Sequence, residues 1–152
     1  MTPGPHGIEA PHTPYVAIVE SPIDIPALMA RVESSGVGAI SLFVGTVRDL
    51  NDGQAVTGID YEAYQPMAEL ELGRIAREAA TEITGIRVAI EHRVGTLRVG
   101  EASIVIVAGH ARRAPAMAAT QRIIEVLKQR VPIWKREHYV SGERHWVDPT
   151  AC

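Results

Sequence analysis

Two lysines stand seven residues apart in the stretch Leu127–Glu137, which reads Leu-Lys-Gln-Arg-Val-Pro-Ile-Trp-Lys-Arg-Glu. The pattern before Lys128 is helical. Pro132 cannot continue a helix, because it lacks an N–H and its ring collides with the preceding turn. It also drives Val131 toward extended backbone. Lys128 is therefore expected in the last turn of a helix, and Lys135 in the extended segment that follows. Ammonium groups on two elements joined by a stiff corner can converge on one pocket. There they can exchange a proton or attack a carbonyl. The alternative is two solvated lysines, with Lys128 simply favoured by the helix dipole.

The other candidates are also cationic. Arg48 closes a strand, Arg112 and Arg113 precede a helix, and Arg136 follows the corner. Guanidinium groups and helix N-termini both suit phosphate. Between Arg112 and Arg136 there are seven basic residues and one acidic residue, Glu125, in a chain of net charge −3. That is either a focused anion site or a solvated helix face. The acidic total and the lack of interleaved aromatics count against a nucleic-acid-binding module. There is no nucleophile elbow, no His or Cys pair at metal-ligand spacing and no Gly-rich phosphate loop. His92, His138 and His145 read as structural or surface residues, and Phe43 and Trp134 as core aromatics.

These groups need elements to position them. Tyr15–Glu20 alternates as a strand. Asp24 is a plausible N-cap with Pro26 in the first turn, for a short helix that Gly36 ends. Gly38–Arg48 reads as a buried strand, with a bulge or close approach at Gly45. Asn51-Asp52-Gly53 is a turn signal, and Val56–Tyr64 is a strand expected to close a hairpin with the previous one. A long helix from Pro66 to about Thr84 carries Met67, Leu70, Ile75, Ala79 and Ile83 on one face. Arg87–Val94 and Glu101–Ala108 are strands, the second apolar enough to be central. Met117–Arg130 is the second long helix, with Ile123, Ile124 and Leu127 inward. Ile133–Val140 and Arg144–Val147 form a last hairpin. The order β-α-β-β-α-β-β-α-β-β indicates an α+β protein with a mainly antiparallel or mixed sheet.

The chain has 152 residues, 46% of them apolar and 22% charged. Residues 1–14 form a Pro-rich tail with too little apolar content to pack, and 15–152 one domain. His6 and His12 are too loosely joined to make a metal site. The single cysteine is Cys152, which excludes an internal disulfide and suits a reducing cytoplasm. No apolar run reaches the roughly eighteen residues that a membrane span needs, and no signal-peptide pattern opens the chain.

Four motifs together resemble the large, catalytic subunit of molybdopterin synthase. They are Gly-Ala-Ile-Ser-Leu-Phe-Val-Gly-Thr-Val-Arg at 38–48, Tyr-Glu-Ala-Tyr-Gln-Pro-Met at 61–67, His-Arg-Val-Gly-Thr-Leu-Arg-Val-Gly-Glu at 92–101 and the two-lysine stretch at 127–137. The resemblance runs from about residue 15 to 148 and implies an α/β-hammerhead fold. It implies a homodimer at the centre of a heterotetramer, each end binding a small ubiquitin-like sulfur carrier that ends in a Gly-Gly thiocarboxylate. The implied reaction converts cyclic pyranopterin monophosphate to the molybdopterin dithiolene, with no metal or organic cofactor. Carried over by position, Lys128 is an acid/base or carbonyl-contacting group and Lys135 positions the thiocarboxylate and the developing anion. Thr46, Val47, Arg48, Arg136 and Glu137 fall on substrate-pocket positions. One stretch departs from the family. Arg112 stands where the family has a histidine, Arg113 falls on the family arginine, and Met117 replaces a phenylalanine. His110 lies two residues upstream of Arg112. An arginine can bind phosphate but cannot shuttle a proton near neutral pH. The alternative function is therefore a non-catalytic dimeric scaffold that binds the carrier.

Overall fold

A computed structural model describes residues 12–147. His6, most of the Pro-rich tail and Cys152 lie outside these residues. The order is β1 (Tyr15–Val19), α1 (Ile25–Ala30), β2 (Ala39–Thr46), β3 (Leu50–Asn51), β4 (Gln54–Ala63), α2 (Gln65–Glu82), β5 (Arg87–Arg93), β6 (Gly95–Arg98), β7 (Ala102–His110), α3 (Arg113–Arg130), β8 (Ile133–Tyr139) and β9 (Arg144–Val147). The fold is α+β, with strands in two sheets.

The first sheet has the order β1-β5-β7-β2, antiparallel except for the β1–β5 pair. Helices α2 and α3 cover one face and α1 the other. Strand β7 is apolar at successive positions because both its faces are covered. Ile104, Ile106 and Ala108 meet Leu72, Ile75, Ile123 and Leu127, while Val105 and Val107 meet Leu28 and Val32. The second sheet has the order β3-β4-β8-β9, with β6 also paired to β4. Its small core is Val47, Val56, Ile59 and Leu97.

Several local expectations are met. The Asp24 carboxylate accepts from the Ala27 N–H at 3.1 Å. The β2–β7 register shifts between Gly45 and Thr46. A Cβ on Gly45 would lie 2.6 Å from Ile104 Cγ2, so the close approach there needs glycine. Pro132 ends α3 as its chemistry requires, with Val131 extended at φ −86° and ψ 126°.

Other expectations are corrected. The Val56–Tyr64 strand does not pair with the Gly38–Arg48 strand. Strand β2 joins β7, and the Asp52–Gly53 turn instead closes a short β3–β4 hairpin. Residues 52 and 53 both have positive φ, 50° and 77°, the geometry of a tight hairpin turn. Strand β2 is an edge strand and only half-buried, with Leu42 exposed. Helix α1 stops at Ala30 rather than near Gly36. The buried stripe of α2 is Ala68, Leu72, Ile75, Ala76 and Ala79, while Met67 and Leu70 are exposed. Helix α2 packs against both β1 and α3, with Leu72 and Ile75 filling the core and Ala68, Ala76 and Ala79 allowing close approach. Trp134 is exposed rather than core. Strands β3 and β6, too short to show periodicity, were not expected.

Candidate functional site

A cavity of about 670 Å³ opens between the two sheets. Strand β2 and its bulge supply Phe43, Gly45 and Thr46, and the segment after it supplies Val47 and Arg48. The end of α3 supplies Leu127 and Lys128, and β8 supplies Ile133, Lys135 and Glu137. Strand β4 adds Ile59 and Tyr61 beneath them. The lining is thus an apolar floor with Arg48, Lys128 and Lys135 around it.

The corner at Pro132 brings the lysines together. Lys128 sits in the last turn of α3, exposed, and Lys135 is half-buried three residues into β8. Alternation along β8 puts Ile133, Lys135 and Glu137 on the cavity side. Arg136 falls on the opposite face, where its guanidinium donates to Asp60 at 2.7 Å and lies 5.0 Å from the Trp146 ring. Burial works to raise the Asp60 carboxyl, but bonds from His138, Thr96 and Arg136 outweigh it and bring it to about 2. Arg136 therefore belongs to an ion-paired cluster rather than to the cavity lining.

The segment carrying Thr46–Arg48 is stapled from β6 and its following loop. The Val47 N–H donates to Glu101 O at 3.0 Å, and the Gly100 N–H donates to Val47 O at 2.7 Å. The Glu101 carboxylate accepts from Arg93 at 2.9 Å and from the Arg98 N–H at 2.7 Å. This explains the spacing of the 92–101 motif: its arginine and its glutamate close one loop.

The basic zone seen in the sequence is divided. Arg130 grips Glu78 at 2.9 and 2.7 Å, and Arg122 reaches Glu82 at 3.3 Å, both on α2. Arg112 and Arg113 stand exposed at the N-terminus of α3. Lys128 is sixteen residues beyond Arg112, or about 24 Å along the helix axis at 1.5 Å per residue, so neither arginine lines the cavity of its own chain. His110 is committed to structure. Its Nε2–H donates to Thr84 O at 3.0 Å, and its Nδ1 accepts from the Arg112 N–H at 3.0 Å. A carbonyl only accepts and an amide N–H only donates, so both ring nitrogens are engaged. Arg112 is left as the residue at the departed position.

Several cavity residues were not singled out from the sequence. His92 lines the floor and is buried, edge-to-face with Tyr61 at 5.3 Å between centroids. Its Nδ1–H donates to Arg93 O at 2.8 Å, which leaves Nε2 as an acceptor. Burial pushes its pKa down to about 4; the backbone bond opposes this and the Lys128 cation adds to it. The available signal was phase: Val88, Ile90, His92 and Val94 share one alternation, and the other three are core residues. Asn51 also lines the cavity, and both oxygens of the buried Glu137 carboxylate accept from its amide at 2.8 Å. Tyr139 hydrogen-bonds Glu137 as well; burial and that bond raise its hydroxyl pKa. Among the described residues no group of three or more His, Cys, Asp or Glu could hold a metal. No described helix is long and apolar enough to cross a membrane.

The sequence profile of the MoaE protein family matches residues 18–130. The chain belongs to the MoaE family. It is 42% identical over 134 residues to molybdopterin synthase catalytic subunit 1 of Mycobacterium tuberculosis, covering 88% of this chain and 90% of that one. It is 40% identical over 130 residues to the molybdopterin synthase catalytic subunit of Bacillus subtilis, covering 86% and 82%. The crystal structure of molybdopterin synthase from Staphylococcus aureus superposes with a TM-score of 0.83 at 32% identity, covering 86% of this chain and 95% of that one. A complex of subunits 1 and 2 of molybdopterin-converting factor from Helicobacter pylori shares the fold, with a TM-score of 0.72 at 21% identity over 87% of this chain and 89% of that one. These relatives place this MoaE-family chain among the enzymes of molybdopterin synthesis.

Proposed function

We propose that this chain transfers sulfur from the C-terminal thiocarboxylate of a small ubiquitin-like carrier to cyclic pyranopterin monophosphate, forming the molybdopterin dithiolene. The observation that carries the reading is the convergence of Lys128 and Lys135, from two elements, on one cavity. The carrier's Gly-Gly tail enters this cavity. Two extended residues span about 7 Å, and glycines pass where a side chain would not. Lys128 contacts the carbonyl and moves the proton. Lys135 holds the thiocarboxylate and the anion that develops on it. Arg48, with Thr46 and Val47, binds the substrate's phosphate side, and Glu137 supports that wall. Two carriers deliver the two sulfurs in turn, and no metal or organic cofactor takes part. The reaction takes place in the cytoplasm.

The protein acts as a homodimer within a heterotetramer. The distance along α3 supports this, because Arg112 and Arg113 can complete an anion site only from a second copy. Arg136 acts from behind β8, through Asp60, rather than on the substrate. One observation favours the scaffold reading: Arg112 cannot shuttle a proton and both ring nitrogens of His110 are engaged. The deciding experiment incubates the purified protein with thiocarboxylated carrier and cyclic pyranopterin monophosphate and measures molybdopterin. Product establishes the enzyme. Carrier binding without product, beside an active synthase control, establishes the scaffold.

A further inference from the structure

Arg48 and Glu137 both line the cavity wall and do not pair directly. Asn51 stands between them. Arg48 Nη2 donates to Asn51 Oδ1 at 3.3 Å, and Asn51 Nδ2 donates to Glu137 Oε1 and Oε2, each at 2.8 Å. Glu137 is only 2% exposed, so its carboxylate depends on the donors around it. Asn51 is held in place by the β3–β4 hairpin and its Asp52–Gly53 turn.

The choice of an amide has a physical consequence. A guanidinium only donates and an ionised carboxylate only accepts. In contact they form a short, two-bonded pair, which would occupy the fork of Arg48 and neutralise its charge. An amide carries donor and acceptor on one small plane. It satisfies the carboxylate from one end and touches the arginine through one bond at the other. Most of the five guanidinium N–H groups are then left for a ligand in the cavity.

We propose that Asn51 is a positioning residue that orients Arg48 toward an anionic ligand while keeping the Glu137 carboxylate from capturing it. The ligand is the phosphate-bearing pterin substrate. This inference rests on the reading of Arg48 as a phosphate contact.

The test is steady-state kinetics of the complex with thiocarboxylated carrier, varying cyclic pyranopterin monophosphate. Asn51→Ala is expected to raise KM about tenfold, the cost of losing one charge-assisted contact, with kcat changed less than about twofold. In an Arg48→Ala background, Asn51→Ala is expected to add nothing, because the residue acts through Arg48. Glu137→Gln in the Asn51→Ala background is expected to recover about threefold or more of the lost KM, since a neutral amide cannot capture the guanidinium. A merely structural role would give none of this rescue. If Arg48→Ala raises KM and Asn51→Ala does not, the inference is overturned and the Arg48 reading stands. Multiplied effects in the double variant, or no rescue, also overturn it. An unchanged KM in Arg48→Ala overturns the phosphate-contact reading and this inference with it. Asn51→Ser, too short to span both neighbours, carries the same test if Asn51→Ala does not fold.

Discussion

The two ends of α3 are built differently. At its C-terminus, the Pro132 corner turns the chain into β8, and Lys128 and Lys135 reach one cavity through seven residues of covalent chain. At its N-terminus, Arg112 and Arg113 are exposed about 24 Å away, outside the lining of that cavity. Each end is also associated with a histidine whose tautomer is set by a backbone carbonyl. His92, in the cavity with Lys128, keeps Nε2 as an acceptor. His110, at the other end, uses both nitrogens to hold the chain entering the helix. On the proposed reading, one end is a site within a single chain and the other is half of an anion site that a second copy completes.

The largest effect should come from the C-terminal end. Lys128→Ala is expected to lower molybdopterin formation by about 10²–10⁴-fold, the usual range for a proton-transferring group, and Lys135→Ala by about 10²–10³-fold, the range for a group that holds a developing anion. Their melting temperatures should stay at the wild-type value, since neither lysine is buried. Full activity in both variants would remove the chemical half of the comparison.

Next is the buried histidine. His92 has a folded pKa of about 4 against 6.5 unfolded. Between these values the unfolded chain binds the extra proton, so the contribution of His92 to stability falls as pH drops from about 6.5 to about 4 and is constant outside that window. The loss is of order 3 kcal/mol at most. Urea unfolding of wild type and His92→Gln across this range should show a shallower slope in the variant, the remainder coming from groups shifted the same way, His12 and Glu101 among them.

A subunit-mixing experiment sharpens the contrast between the ends. Arg113→Ala should weaken substrate binding about tenfold, as expected for one charge-assisted contact. Statistical mixing of Arg113→Ala with Lys128→Ala chains makes half the dimers mixed, each with one intact site, so about a quarter of wild-type activity should return. No recovery would mean that each chain uses its own arginine. The smallest effect is expected from His110→Ala, with a stability loss of about 1 kcal/mol, comparable to a lost helix cap, and activity per folded molecule retained. Lost activity with an unchanged melting temperature would instead make His110 part of the site.

Much was legible in the sequence because some rules act locally. Pro132 forbids helix and restricts Val131 whatever surrounds them, so the corner, with Lys128 at a helix end and Lys135 in the strand after it, follows from residue types alone; that both lysines line one cavity does not. Asp24, the Asp52–Gly53 turn and the unbroken apolar run of β7 were readable for the same reason, and the four motifs named the family. What a side chain meets is not local. Strand β2 could have closed a hairpin with β4, but it pairs with β7 instead and lays one face against α3. Which apolar residues of α2 point inward was set by the neighbours it packs against, so Leu72 and Ile75 are buried while Met67 and Leu70 are exposed. Only the packed structure gave Arg136 the Asp60 carboxylate as its partner, enclosed His92 beside Lys128 and inserted Asn51 between Arg48 and Glu137. Partners up to 86 residues apart in the chain meet only once the sheets have formed, and no spacing in the sequence encodes that distance.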